Sequence, residues 1–598
     1  MNTPQSKILG RRRFIQGGTV GGLAVAAGLK SDLAHAKSSK LASPIRFTPF
    51  VQKLPIPARL QAEVLSPTPG SPEAAMGSEA VFHGIAPEFD KSHPVHHPDW
   101  DRKPLRTMRM EYTTTTHQWV PGVFTPALGY NGTVPGPMIR ARLGEPMVVR
   151  VTNPLDLETS LHLHGAHSPS HADGHPCFYT MPHKTRDYYY PNCVPRNADG
   201  TEDWHESPST MWYHDHGNDV TAHNVVHGLM GFCLFTDPFE EKLMTDNVLP
   251  MVDGPDGEQG AYDVPLALTD QRLNADGTIF WDPLDHDGRL GELYCINGVV
   301  QPFLEVERRK YRFRILDASL ARIYELRLSN RQTMLQIGND SWLLPKGVTV
   351  PRVTLAPGKR ADVIIDFSKL ANNTVLYLEN IMEQVDGRKP KGINTKKRTR
   401  LLKFIVRGNA PVANDVTISA TTPLRPHHPI PAAELIENRR FDLGRSNGAW
   451  VINGDFYSAT RADANPGVNS AERWTLNNGS GGWVHPVHLH LESHQILTEN
   501  GRRPREVWAY KSDTAHLDVN TEMVIAMRFR TFQGPFVFHC HNNNHEDMRM
   551  MKQWENCPVD PVTGVKAPTQ LNGKWFSVDP AIAGIPEDVI LANPILFS

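Results

Sequence analysis

The chain has 598 residues, 39% of them hydrophobic and 21% charged, with a formal net charge of −2 and a pI near 7.0. Length alone allows about four domains, and the balanced charge argues against nucleic acid or an anionic surface as a partner. The compositional outlier is histidine, with 28 residues.

At the N-terminus, Arg11-Arg12-Arg13-Phe14-Ile15-Gln16 precedes a Gly/Ala-rich, weakly apolar run to Leu29, and Ala34-His35-Ala36 follows as a small-x-small cleavage site. Residues 1–36 thus resemble a twin-arginine export signal, which predicts a periplasmic or secreted protein. The run is too short and too glycine-rich to span a bilayer comfortably. No other apolar run reaches eighteen residues, so stable membrane association is not expected. Residues 37–105 are rich in Pro, Ser and His and read as an extended arm; His93, His96 and His97 read as loop histidines.

The body repeats. Asn131-Gly132, Asn297-Gly298 and Asn453-Gly454 each follow an apolar or aromatic residue, and each is followed by a strand-like string: Met147–Asn153, Tyr311–Leu316 and Arg473–Asn477. Short β-rich strings, many Gly and Pro, and no long helical pattern predict three β-sandwich domains over residues 106–240, 241–430 and 431–557, with an extension at 558–598. The histidines follow the repeat. His162-x-His164 and His488-x-His490 fall in equivalent stretches of the first and third copies, whereas Arg322–Arg327 in the second has none. The second domain therefore reads as a spacer without metal, and its basic loop Gln384–Arg400 reads as solvated surface.

Composition predicts about one His-x-His pair in such a chain; there are four, at His162/His164, His214/His216, His488/His490 and His539/His541. In an apolar, strand-like setting each pair puts two imidazoles on one face about 7 Å apart, the scale of neighbouring metals. The fourth pair lies in His539-Cys540-His541-Asn542-Asn543-Asn544-His545-Glu546-Asp547-Met548-Arg549-Met550. Alternation on a strand turns Cys540 away from His539 and His541, so a thiolate and two imidazoles can serve different metal centres. Two His, one Cys and a weak Met describe a blue-copper site. Cys540, His545 and Met550 supply three of these ligands, with Met548 a rival for the last, and one His must come from elsewhere. Of the other cysteines, Cys177 and Cys193 bracket an aromatic loop and make the most plausible disulfide in an oxidising compartment. Cys233 reads as core, and the spacing of Cys295 and Cys557 assigns them nothing.

The four histidine strings, together with Leu54–Pro57, Gly129–Gly132, Pro135–Pro137, Asp173–Pro176, Trp212–His216 and Leu304–Arg314, resemble the multicopper oxidases, in particular the bacterial laccase group that includes spore-coat laccases and is similar to bilirubin oxidases. The resemblance covers roughly residues 50–556. It implies three cupredoxin-like Greek-key sandwiches and four copper ions per chain. His485, Cys540, His545 and Met550 would hold the type 1 copper, since Met550 stands where these oxidases place the axial residue. His162 and His488 would hold the type 2 copper, and His164, His214, His216, His490, His539 and His541 the type 3 pair. Glu546 and Asp173 resemble the acidic groups that serve proton transfer in this group. His167, His171, His175, His427, His428 and His494 are then left as supporting or loop residues.

The resemblance further implies a monomer that takes electrons from phenols, aromatic amines or tetrapyrrole-like pigments and passes them to O2. The alternative is a metallo-oxidase acting on Mn(II), Cu(I) or Fe(II), although no methionine-rich insert stands among the 18 Met. An electron carrier without oxygen chemistry would not need His162, His164, His214 and His216, and copper content separates the two.

Overall fold

The computed structural model describes residues 43–65, 105–254, 257–459, 461–557, 559–560 and 562–566. The expected export signal, His93, His96 and His97, and nearly all of the extension 558–598 lie outside these residues.

The sheets stack in three sandwiches, each around its own apolar cluster. In the first, a sheet built on strands Leu105–His117, Met147–Asn153 and Lys184–Tyr190 faces one built on Ile139–Arg142, Met230–Thr236, Thr210–Asp215 and Leu161–His164. Met108, Val149 and Tyr188 from one side meet Leu163, Tyr213 and Cys233 from the other. The second sandwich packs a seven-stranded sheet on a five-stranded one, and the third packs a six-stranded sheet on a four-stranded one. Each sandwich contains a parallel pair near its start: Leu105–His117 with Met147–Asn153, Asp263–Gln271 with Lys310–Asp317, and Leu435–Ser446 with Ser470–Asn478. Parallel neighbours cannot be joined by a hairpin, so the chain crosses between sheets, as Greek-key sandwiches require. The fold is all-β and cupredoxin-like.

The Asn-Gly repeat has a physical reason. Asn131, Asn297 and Asn453 have φ of 52°, 49° and 53°, and the following glycines 76°, 82° and 79°. Two successive left-handed residues make the turn that matches the twist of a hairpin, and Asn-Gly is the pair that tolerates it best. Each Asn amide also clips the turn to the first strand of its sandwich. Its oxygen accepts from the backbone N–H of Glu111, Ala267 or Asp442 (2.7–2.8 Å), and its nitrogen donates to the carbonyl of Arg109, Pro265 or Arg440 (2.8–3.1 Å).

Where the arm 37–105 is described, it does more than link. The Phe50 N–H donates to the Gln301 carbonyl and Leu54 to Phe303, placing Leu54 in the second sandwich's core. Leu60 donates to Met138 and sits in the first sandwich's core, and Ala62–Leu65 adds an edge strand there. The arm reads as a linker because its apolar residues come singly, without periodicity.

Between the first two sandwiches lie two fully buried arginines. Arg314 is bidentate to Asp263 at 2.7 Å on both arms, and Arg312 reaches Glu240 and Asp362.

Candidate metal centre

The register of four strands brings the sequence-predicted ligands together. Leu161–His164 pairs with Thr210–Asp215 so that His162 stands opposite His214. His485–Leu489 lies between Thr514–Leu517 and Gly534–Cys540, with His488 opposite His539 and Val487 opposite Cys540. Every residue of Gly534–Cys540 is buried, so alternation decides which environment each side chain meets. Cys540 enters the apolar cluster of the third sandwich, while His539 and His541 turn to the histidines of the first. A short helix, Asn543–Glu546, then carries His545 back to Cys540.

Eleven of the twelve expected ligands fall into close groups whose donor atoms lie within 4.8 Å of one another: His162, His164 and His488; His164, His214 and His541; His216, His490 and His539; and His485, Cys540 and His545. The twelfth, Met550, is fully buried in the cluster that holds Cys540, and its carbonyl accepts from the Cys540 N–H at 3.1 Å. Its rival Met548 is only partly buried at the edge of that cluster. Among the described residues no such group includes a residue of the second sandwich.

Within these groups, ring nitrogens face one another in a way that hydrogen bonding does not explain. His162 Nδ1 points at the Asp173 carbonyl and His488 Nδ1 at the Asp513 carbonyl, and a carbonyl can only accept. Both Nε2 atoms must then carry lone pairs, yet they lie 3.2 Å apart. His216 and His539 repeat the arrangement, with Nδ1 facing the Glu546 carboxylate and Nε2 atoms 3.1 Å apart. At the third site the Asp287 carbonyl takes His545 Nε2–H, and Ser480 Oγ accepts from His485 Nε2. That leaves two Nδ1 lone pairs 3.3 Å apart, at 3.2 and 3.5 Å from Cys540 Sγ. His164 Nδ1, His214 Nε2, His490 Nε2 and both nitrogens of His541 are buried without partners among the described residues. Converging lone pairs repel unless a cation lies between them, and bonds of about 2 Å to each nitrogen span such separations.

Electrostatics agree with this chemistry. Burial, helped by neighbouring imidazoles, pulls His162, His164, His488 and His490 well below the usual histidine range; it drops His214 and His485 to about 3 and His216 to about 4. These rings are neutral at physiological pH, the form that ligates. Burial also pushes the Cys540 thiol up, so its thiolate needs a bound cation. Soft sulfur with imidazole at one site and imidazole alone at the others fits copper.

Asp173 and Glu546 both touch ligands. Asp173 Oδ2 lies 2.5 Å from His490 Nδ1, and burial pushes its carboxyl well above the usual range. Glu546 lies 3.2 Å from His539 and 3.6 Å from His216.

Sequence reasoning missed the residues that orient the ligands from other domains. Asp513 Oδ1 lies 3.2 Å from His164 Nε2, and Arg360 of the second sandwich binds Asp513 and Ser341. Asp287, also of that sandwich, holds His545. Among the described residues the second sandwich adds no member to the candidate ligand groups, but it steers two of them. Its basic loop is only partly solvated: Lys391 and Lys397 are exposed beside Glu383, whereas the Arg388 guanidinium lies 4.5 Å over the Trp483 ring.

The remaining histidines lie outside the ligand groups. His167 Nδ1 meets the Leu491 carbonyl and His175 Nε2 the Gln553 side chain. His171 occupies a buried turn, His494 opens a strand, His427 packs on Tyr510, and His428 packs on His205. Cys177 Sγ lies 3.0 Å from the Tyr457 hydroxyl, and Cys193 packs against the third sandwich's core. Cys233 is fully buried in the first core, as expected of a small apolar residue.

Comparison with known proteins places these features in a family. Sequence profiles described as multicopper oxidase match residues 111–239 and 431–559. A bilirubin oxidase from Albifimbria verrucaria is 32% identical over 476 residues, which cover 77% of this chain and 77% of that protein. A laccase from Bacillus stratosphericus is 32% identical over 71% of this chain and 89% of its own length. A laccase structure from Pediococcus acidilactici shares the fold at a TM-score of 0.68, with 24% identity over 87% of this chain and 95% of that one. The chain belongs to the multicopper oxidases. It is a copper-dependent oxidoreductase that uses O2 as acceptor and takes electrons from small molecules.

Proposed function

We propose that the protein is laccase-like, coupling one-electron oxidation of phenols, aromatic amines or related pigments to four-electron reduction of O2 to water. The similar bilirubin oxidase and laccase support the donor class. The observation that carries the site is the set of imidazole lone pairs facing one another at 3.1–3.3 Å. His485, Cys540, His545 and Met550 would hold one copper, and His162 and His488 a second. The triads His164, His214, His541 and His216, His490, His539 would hold a pair, giving about four ions per chain. Bound copper supplies one-electron transfer from the donor and the centre at which O2 is reduced.

The chain's own residues set the rest. Cys540 is covalently joined to His539 and His541, so the thiolate site shares a backbone path with both triads. Asp173 holds His490 through Oδ2 and turns Oδ1 toward His162 Nδ1 at 4.0 Å, and a carboxyl that burial pushes well above the usual range is placed to hold a proton and pass it on. Glu546 bridges His216 and His539 and fixes both rings with Nε2 inward. We further propose that the chain acts as a monomer and is exported through its twin-arginine signal to the periplasm or beyond.

Oxygen uptake by the copper-loaded protein, measured with dimethoxyphenol beside Cu(I), Mn(II) and Fe(II), tests the reading. Rapid uptake with the phenol is expected. Uptake only with a metal ion would make this a metallo-oxidase, and a content of one or two coppers without uptake would make it a carrier.

A further inference from the structure

The helix Thr221–His227 carries two histidines that the candidate ligand groups do not use, His223 and His227. They stand four residues apart and so share one face of the helix. They are also its half-exposed residues, because Thr221, Ala222, Asn224, Val225 and Val226 are all buried. The ring centres lie 4.1 Å apart, with the planes 31° from parallel.

The tautomer of each ring is fixed from behind. His227 Nδ1 donates to the His223 carbonyl at 2.6 Å, and His223 Nδ1 meets the Asn224 side-chain oxygen at 2.9 Å. That amide is itself oriented, since Asn224 Nδ2 donates to Asp215 Oδ2 at 2.8 Å. Both acceptors require an N–H, so both Nδ1 atoms carry the hydrogen and both Nε2 atoms keep a lone pair. Neither Nε2 has a partner among the described residues, and neither is sealed by them from solvent. Burial pulls His223 below the usual histidine range and, with His223 beside it, drops His227 to about 3. Two neutral imidazoles with free lone pairs thus share one exposed helix face.

We infer that His223 and His227 form a further metal site, for a borderline divalent transition ion such as Zn(II) or Cu(II), outside the ligand groups described above. Bonds of about 2.0–2.1 Å to each nitrogen let one ion bridge rings at this spacing, and histidines at i and i+4 of a helix are a recurrent chelating pair. A carbonyl and an amide oxygen behind Nδ1 are the partners that metal-bound imidazoles carry. Among the described residues no third His, Cys, Asp or Glu completes a group with them, so water fills the other positions and the ion is labile. Trp281 stands edge-on to both rings, at 5.6 and 6.5 Å between centres. The cation that weighs on His227, Arg289, has its guanidinium held by the carbonyls of Phe280, Asp270 and Arg272. The helix is tied to the frame of the cluster. Ala222 N–H donates to Asp547 Oδ2 at 3.0 Å, and Asp215, which holds Asn224, lies between His214 and His216. An ion on the outer face braces this helix without touching a candidate ligand of the cluster.

The experiment uses the copper-loaded full chain. Zn(II) is titrated by calorimetry into the wild type, His223→Gln and His227→Gln, with copper content and visible absorption recorded before and after. The wild type is expected to bind one further ion without losing copper. Each variant should bind it at least about tenfold more weakly, with unchanged absorption. Carbethoxylation of the wild type, mapped by mass spectrometry, gives an answer independent of how the variants fold: Zn(II) should protect His223 and His227. No binding, binding only in exchange for copper, equal affinity in both variants, or protection of other histidines instead overturns the assignment.

Discussion

At the scale of single residues, the site depends as much on what holds the imidazoles as on the imidazoles themselves. Arg360 is fully buried and bidentate to Asp513, whose other contacts fix His164 and His488. Arg360→Met leaves the Asp513 carboxylate buried and unpaired, which costs about 3–5 kcal/mol. Denaturant unfolding should show that loss, and metal analysis should show less copper in the histidine cluster. Cys540→Ser acts differently. The hydroxyl is a poor copper ligand, so the variant should lose its strong visible absorption and about one copper while His539 and His541 keep the rest. Retention of the absorption would show that the sulfur ligand lies elsewhere.

The candidate ligand groups were legible in the sequence because strand periodicity makes metal spacing a property of adjacent residues. His162, His214 and His488 each announce themselves through a second histidine two positions on. Asp513 and Arg360 carry no such mark, because their roles exist only where three domains meet. Asp287 acts through its carbonyl, which any residue possesses, so no side-chain pattern could single it out.

At the scale of elements, the Asn-Gly turns make the triplication both visible and stable. Asn453→Ala loses two hydrogen bonds to the strand Leu435–Ser446 and places a Cβ-bearing residue with no local partner at a φ of 53°. A loss of about 1–2 kcal/mol follows, measurable by chemical denaturation. Asn453→Gly should recover the backbone part but not the hydrogen bonds. The same logic explains why the three sandwiches could be read from sequence while the arm could not. Turn chemistry is local and repeats, whereas Leu54 and Leu60 gain meaning only from cores built by residues far along the chain.

For the whole molecule, buried ionisable groups fix how stability responds to pH. His214 and His485 fall to about 3 and His216 to about 4 when buried, against about 6.5 in an unfolded chain. The folded copper-free protein therefore binds fewer protons than the unfolded one across that range. The stability carried by these neutral rings is complete above about pH 6.5 and is lost as pH falls toward their folded values. The interface carboxylates act in the same direction at lower pH. Burial would raise Glu240 and Asp263, but Arg312 and Arg314 outweigh it and hold both below their ordinary values. Melting curves of the copper-free protein should move down steadily below about pH 6.5, and bound copper, which competes with protons for the same nitrogens, should delay the fall. A flat profile to pH 4 would contradict the neutral-ring assignment.

The ligand pairs that face each other across the cluster, His162 with His488 and His216 with His539, come from opposite ends of the folded body, 326 and 323 residues apart in sequence. An ion between them is a rivet through two sandwiches, and it can leave only when those sandwiches part. Exchange against a strong external chelator should accordingly be slow, nearly independent of chelator concentration, and accelerated by the same mild denaturant that loosens the domain interface. The ligands proposed for the blue copper all belong to one sandwich, so that ion should exchange first.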